Sequence, residues 1–216
     1  MKGKFITFEG GEGSGKSTQL RLLAEYLENN YQIPCVQTKE PGGTDVGIEI
    51  RRLLVEGDKD KMDAIAEALM YYADRRIHLT KKIWPALEGG KWVLSDRFAD
   101  STMAYQYYGY NKRVDKKILD GFYDLVVGEG RGPDLTLIFD IDPEIGLARS
   151  RAKAGQMEFA ELRHESRELE FHTNLRKGYI EIAKENPNRY IVLDANKTIE
   201  ELHEEVVKVI KERLEL

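Results

Sequence analysis

Three observations predict an α/β protein built on a doubly wound, five-stranded parallel sheet flanked by helices. Five short β-prone runs are present, helical patterns separate them, and a glycine-rich loop joins the first run to the first helix. The runs are 4–9, 33–38, 91–96, 135–141 and 190–194. Strands that alternate with helices are joined by crossovers, which makes neighbouring strands parallel. The 216 residues suffice to bury one such core, and no internal repeat, low-complexity stretch or linker divides them. A single domain, 1–216, is therefore expected.

The first run, Lys4 to Glu9, is short and apolar. It leads into Gly10-Gly11-Glu12-Gly13-Ser14-Gly15-Lys16-Ser17, which matches the phosphate-binding pattern G-x-x-x-x-G-K-S. Apolar residues at helical spacing follow from Thr18 to Leu27. A chance glycine turn would lack that flanking strand and helix, so the fold is expected to be of the P-loop NTPase type. Glycines turn backbone N–H groups inward, and the helix N-terminus adds positive potential. Residues 10–18, including Gly10, Gly11, Glu12, Gly13, Ser14, Gly15, Lys16, Ser17 and Thr18, are thus expected to cradle the phosphates of a nucleoside triphosphate. Lys16 reaches the β- and γ-phosphates in such a loop, and the Ser17 hydroxyl holds Mg²⁺.

The second run carries the sole cysteine, Cys35, in an apolar stretch, and a core thiol is expected there. It is followed by Glu40-Pro41-Gly42-Gly43-Thr44, a turn that permits close approach of a ligand. Arg51 lies in the helical stretch Val46–Val55, where its spacing suits a solvated face equally well. Tyr71, Tyr72 and Arg75 place aromatic rings beside arginine, an arrangement that suits stacking on a base or plain core packing. The third run ends in Asp96-Arg97-Phe98. Beside a P-loop, an aspartate at a strand end suits Mg²⁺, and an arginine offers a planar phosphate donor; alone, the pair also reads as a surface ion pair. The last segment, Thr198 to Leu216, repeats apolar residues at Ile199, Leu202, Val206, Val209 and Ile210, with Thr198 and Glu201 as a capping box. Ligands of open α/β sheets bind beyond the carboxyl ends of the strands. Gly10–Ser17, Glu40–Thr44, Asp96–Arg97 and Asp194–Lys197 therefore fall along one rim.

A net charge of −5 speaks against broad nucleic-acid or membrane binding. No apolar run approaches bilayer length, and Met1-Lys2-Gly3-Lys4 enters a strand directly, which predicts no signal peptide. The single cysteine fits a reducing cytoplasm.

Several strings then occur in a telling order: Phe8-Glu9-Gly10, Glu40-Pro41-Gly42-Gly43-Thr44, Tyr71–Arg75, Asp96-Arg97, Ser101-Thr102-Met103-Ala104-Tyr105-Gln106, Pro133–Thr136 and Leu193-Asp194-Ala195. In this the chain closely resembles the thymidylate kinase (dTMP kinase) family, in its bacterial branch, from about Lys4 to the last helix. The resemblance implies phosphoryl transfer from ATP, with Mg²⁺, to dTMP, and a homodimer formed through helices of the first half. It implies that Glu12 stands near the acceptor sugar 3′-hydroxyl and that Arg51 and Arg97 hold the dTMP phosphate. Tyr71 matches the ring that stacks on thymine, and Arg75 the donor to its O4. Ser101, Thr102 and Gln106 belong to the string at the thymine edge. Tyr105 matches the ring that crowds the sugar 2′ position. Arg149 matches the arginine against adenine, with Asn196 and Lys197 in the adenine-side loop. The segment 149–163 resembles a mobile basic lid, which brings charge to a P-loop that has no arginine. Charge at every second residue from Arg149 to Lys153 predicts that this stretch opens into a loop. Arg151, Lys153 and Arg163 are its candidates for meeting the transferred phosphoryl group. The chain departs from the family at Lys153, where arginine is common, at Ala160-Glu161-Leu162-Arg163, which replaces a D-R-x-E string, and at Phe98, which lacks a polar tip. A kinase for another pyrimidine nucleoside monophosphate, or a nucleotide-binding module without transfer activity, are the alternative readings.

Overall fold

The computed structural model describes residues 3–57, 61–154 and 169–216, with side chains throughout except at 153 and 154. Five parallel strands form one sheet: β1 (Phe5–Gly10), β2 (Cys35–Lys39), β3 (Trp92–Asp96), β4 (Leu135–Asp140) and β5 (Tyr190–Asp194). Their spatial order is β2-β3-β1-β4-β5, so β1 lies centrally, between β3 and β4. Every predicted run is a strand, within one or two residues of its expected ends. The strand ends converge as expected, with Lys39 opposite Asp96 and Asp140 opposite Asp194.

The alternation of β1 decides what covers each face. Ile6 and Phe8 turn to α1 (Lys16–Tyr31) and the terminal helix, packing with Leu20, Leu23 and Leu27 and with Leu202, Val206 and Ile210. Burying each such leucine contributes about 1.5–3 kcal/mol. Phe5, Thr7 and Glu9 share the opposite face, where Phe5 packs with Val93, Leu79, Ile83 and Phe98.

Helix α2 (Asp45–Val55) is capped by Thr44, whose hydroxyl accepts from Gly47 N at 3.0 Å. Helix α3 (Ala64–His78) is capped by Asp63 and runs on through a π-helical turn, Leu79–Ile83, into α4 (Trp84–Glu88). Pro85 accounts for the widened turn, since its ring lacks an N–H and crowds the carbonyl four residues back. Helix α5 (Ala99–Met103) likewise continues into a π-helical stretch, Ala104–Gly109. Then come α6 (Lys116–Val126), α7 (Pro143–Ala154), α8 (Leu169–Glu185) and α9 (Ile199–Leu214). The Thr198–Glu201 capping box on α9 forms as predicted.

Two expectations are corrected. The stretch from Arg149 to Lys153 does not open into a loop, because α7 continues to Ala154. Leu147 is buried and Gly146 meets the P-loop backbone, which anchors the start of the helix, while Arg149 and Arg151 lie exposed, where charge on several faces costs little. Cys35 is half-buried at the core edge and not within the core. Burial, then Glu28, pushes its thiol up to about 12, so it is inert. Of the expected lid, 155–163 lies outside the described residues. Among the described residues no helix is long and apolar enough to cross a membrane.

Candidate active site

The P-loop owes its path to three glycines at positive φ, Gly10 at 135°, Gly13 at 67° and Gly15 at 89°. A side chain at Gly13 would collide with the Gly146 carbonyl, so the loop sits directly on the first turn of α7. Gly15 caps α1, leaving the helix N-terminus open. Lys16 Nζ donates to the Gly11 and Gly10 carbonyls at 2.7 and 3.1 Å, and Ser14 Oγ to the Gly11 carbonyl at 2.9 Å. Burial, then the Arg97 charge, pulls the Lys16 ammonium down to about 8. The Ser17 hydroxyl donates to the Asp96 carboxylate, bringing two hard oxygen ligands together at the end of β3. Thr18 follows in the first turn of α1.

A second cationic region faces this loop. Arg97 Nη2 donates to Glu12 Oε1 at 2.8 Å, and Tyr105 OH donates to the same oxygen at 2.7 Å. The Arg97 guanidinium stands 5.3 Å over the Tyr105 ring. Arg51 is half-buried and donates to the Pro41 carbonyl at 2.8 Å. Burial, then the Arg97 charge, lowers the Arg51 guanidinium against an opposing pull from Tyr71, so all three groups share one field. The solvated-face reading of Arg51 is thereby set aside. Two arginines that feel each other's charge, one of them paired with the P-loop carboxylate Glu12, suit a second phosphate.

Arg75 is only 1% exposed. Its Nε donates to Glu40 Oε2 at 2.9 Å and its Nη2 to Thr102 Oγ1 at 3.1 Å. Its guanidinium lies 4.6 Å from the Tyr72 ring and 5.1 Å from Phe98. The apolar Phe98 is thus a flat platform for Arg75. Arg75 Nη1 and both amide atoms of Gln106, which is 0% exposed, have no hydrogen-bond partner among the described residues. Gln106 stands about one turn beyond Thr102 on the same helix. Tyr71 is half-buried beside them on α3.

At the far end of the rim, Arg149 Nη1 donates to the Ala195 carbonyl at 2.9 Å. Asn196 folds onto Asp194 through its backbone N at 3.0 Å and its Nδ2 at 2.7 Å. Lys197 pairs with Glu205 on α9, which draws its ammonium toward the helix. Arg151 is exposed on α7; the Lys153 side chain and all of Arg163 lie outside the described residues.

Several pairings in this region escaped the sequence reading. Glu40 serves Arg75 and also meets His78 Nδ1 at 2.9 Å, while His78 Nε2 meets Thr38 Oγ1 at 2.7 Å. Asp74 holds Gly42 N at 3.3 Å through both oxygens, and burial, then Glu40, raises its carboxyl to about 6. The hydroxyl of Ser101, expected at the thymine edge, bonds Arg97, Glu9 and Tyr179. Glu9 was visible as an acid in an apolar strand; Tyr179, far along the chain on α8, carried no signal.

The thymidylate kinase family model matches residues 8–206. The thymidylate kinase of Maridesulfovibrio salexigens is 42% identical over 212 residues, covering 97% of this chain and 96% of that one. That of Halalkalibacterium halodurans is 40% identical over 215 residues, covering 100% and 99%. The crystal structure of thymidylate kinase from Ehrlichia chaffeensis matches with a TM-score of 0.77 at 38% identity, over 98% of this chain and 99% of that one. A family model spanning residues 8–206, relatives 42% and 40% identical over nearly the whole chain, and a solved structure matching over 98% of it place the chain in the thymidylate kinase family.

Proposed function

We propose that this protein transfers the γ-phosphoryl group of ATP to dTMP, giving dTDP and ADP. The observation that carries the acceptor's identity is the pair of orphaned buried polar groups, Arg75 Nη1 and the Gln106 amide. Such groups are costly unless a ligand's polar edge meets them. A thymine ring offers a carbonyl for Arg75 and a mixed donor–acceptor edge for an amide, with Tyr71 to stack on its face. Thr102 orients Arg75 for this contact, and Tyr105 and Glu12 face the deoxyribose. Arg51 and Arg97 hold the acceptor phosphate.

The chemistry needs charge neutralisation and alignment more than covalent help. An oxygen of the dTMP phosphate attacks the γ-phosphorus while the bond from that phosphorus to the β-bridging oxygen breaks, and ADP leaves. Lys16 and Arg97 stabilise the charge spread over the transferring group. Ser17 and Asp96 suit Mg²⁺, since their oxygens converge. Among the described residues no three His, Cys, Asp or Glu side chains gather to hold an ion, so phosphate oxygens and water would complete its shell. The ion adds positive charge to the β- and γ-phosphates. Arg149, Asn196 and Lys197 flank the adenine side, and Arg151 on α7 brings charge toward the transferred phosphoryl group.

We also infer a cytoplasmic homodimer. Exposed apolar side chains, Ile48 and Leu53 on α2 with Ile65 and Leu69 on α3, support an interface there. The test of the main reading is direct: incubation with MgATP and dTMP yields dTDP. Turnover of a different monophosphate, with dTMP untouched, would refute it.

A further inference from the structure

Glu9, one residue before the end of the central strand, is fully buried on the face turned to α5 and α8, and its carboxylate accepts four hydrogen bonds. One oxygen takes Phe98 N at 2.7 Å and Ser101 N at 3.3 Å; the other takes Ser101 Oγ at 2.6 Å and Tyr179 OH at 3.2 Å. Both hydroxyls then receive Arg97, whose Nη1 stands 3.1 Å from Ser101 Oγ and 3.3 Å from Tyr179 OH. The Arg97 backbone rests on the same strand. Its φ is 71°, a conformation that non-glycine residues rarely adopt. Its N donates to the Phe8 carbonyl at 2.9 Å, and the next amide is the one Glu9 holds. Ser95 Oγ secures the Arg97 carbonyl at 2.8 Å.

We propose that Glu9 and Tyr179 are positioning residues for the acceptor site, holding the Arg97 backbone and guanidinium where they meet the acceptor phosphate. This rests on the role given to Arg97 above. Tyr179 lies three residues after Arg176, which pairs with both oxygens of Asp140 at 2.6 and 2.8 Å. Helix α8 is therefore pinned to the ends of β4 and β1, and its tyrosine hydroxyl passes that placement to Arg97. The arrangement explains why a buried carboxylate is kept in the central strand: an apolar residue could not hold two backbone amides and two hydroxyls at once.

Tyr179→Phe tests this by removing one oxygen while keeping the packing. Steady-state kinetics with each substrate varied, and thermal unfolding, are measured on Tyr179→Phe, Glu9→Gln, Arg97→Ala and the Tyr179→Phe/Arg97→Ala pair. The expected result is a KM for dTMP raised about five- to tenfold in Tyr179→Phe, as for one lost hydrogen bond, with the KM for ATP within about twofold. Glu9→Gln shifts the same constant in the same direction. On the Arg97→Ala background Tyr179→Phe adds less than about twofold, since it acts through that arginine. An unchanged KM for dTMP, equal losses for both substrates, or a full effect without Arg97 would overturn the proposal while the unsubstituted enzyme still turns over dTMP. Absence of that turnover would overturn the functional reading and this proposal with it. If Tyr179→Phe does not fold, Glu9→Gln reads the same contacts from the strand side.

Discussion

Replacing Arg75 with methionine separates the two duties of a single buried cation. The guanidinium is 1% exposed and holds Glu40 at 2.9 Å, and Glu40 is itself buried. Removing one member of such a pair costs about 3–5 kcal/mol. His78 still meets Glu40 at 2.9 Å, so the low end, about 3 kcal/mol, is expected. In a domain of this size that lowers Tm by about 6–12 °C. Loss of a charged hydrogen bond to the base adds about 1.5–3 kcal/mol to the barrier from free enzyme and dTMP, so kcat/KM for dTMP falls about 10- to 150-fold. ATP saturation should be unaffected, because Arg75 bonds Glu40 and Thr102 and no P-loop group. Adding Glu40→Gln removes the stranded charge and keeps a side chain that can bond His78. The double variant should regain most of the lost Tm and none of the lost dTMP turnover. A coupled ADP-release assay beside thermal unfolding measures both. Recovery of dTMP turnover in the double variant would show that Arg75 is only a counter-charge for Glu40, and would refute its role at the base.

Other outcomes follow from the same geometry. Lys16→Met should lower kcat by at least about a hundredfold while far-UV circular dichroism stays unchanged, since the ammonium serves phosphate charge and bonds only P-loop groups; near-normal kcat would refute this. Tyr105→Ala should relax discrimination against ribonucleotides, read as the ratio of kcat/KM for deoxy over ribo acceptor; an unchanged ratio would leave Tyr105 only its packing and its contacts with Glu12 and Arg97. Burial, then Asp100, raises the Glu9 carboxyl from 4.5 to about 7, with Ser101, Arg97 and the Phe98 amide opposing and Tyr179 and Arg189 also facing it. The folded protein keeps that proton between pH 4.5 and 7 while the unfolded chain has lost it, so the contribution is full below 4.5 and is lost as pH rises through 7. Glu9→Gln should flatten the decline in unfolding free energy across that window, measured by denaturant titration at several pH values; an unaltered slope would place the titration elsewhere.

What was legible in the sequence had a local cause. Apolar runs located the strands, because β1, β3 and β4 are buried along nearly their whole length and so carry few polar residues. The P-loop was readable because glycine spacing is itself the backbone requirement: positive φ at Gly10, Gly13 and Gly15 leaves little other choice. The Thr198 cap on α9 is likewise a contact between residues three apart. The lid start was misread for the same reason. Charge spacing reports on the exposed faces of α7, whereas the packing of Gly146 and Leu147 decides that it is a helix.

The sequence by itself determined the fold class, the phosphate cradle and, through the ordered strings, the family. Tertiary structure alone decided which side chains meet. Glu9 reaches Tyr179 across 170 residues, Arg97 reaches Glu12 across 85, and Arg75 reaches Glu40 across 35. None of these pairs leaves a periodic trace, because sheet order and helix docking set their distances, not spacing along the chain. Arg51 shows the difference: its sequence position suited solvent as well as substrate, and only the packing of α2 against α3 brings it into the field of Arg97. A buried charge is worth its desolvation cost only where its partners stand ready, and that readiness is a property of three-dimensional packing.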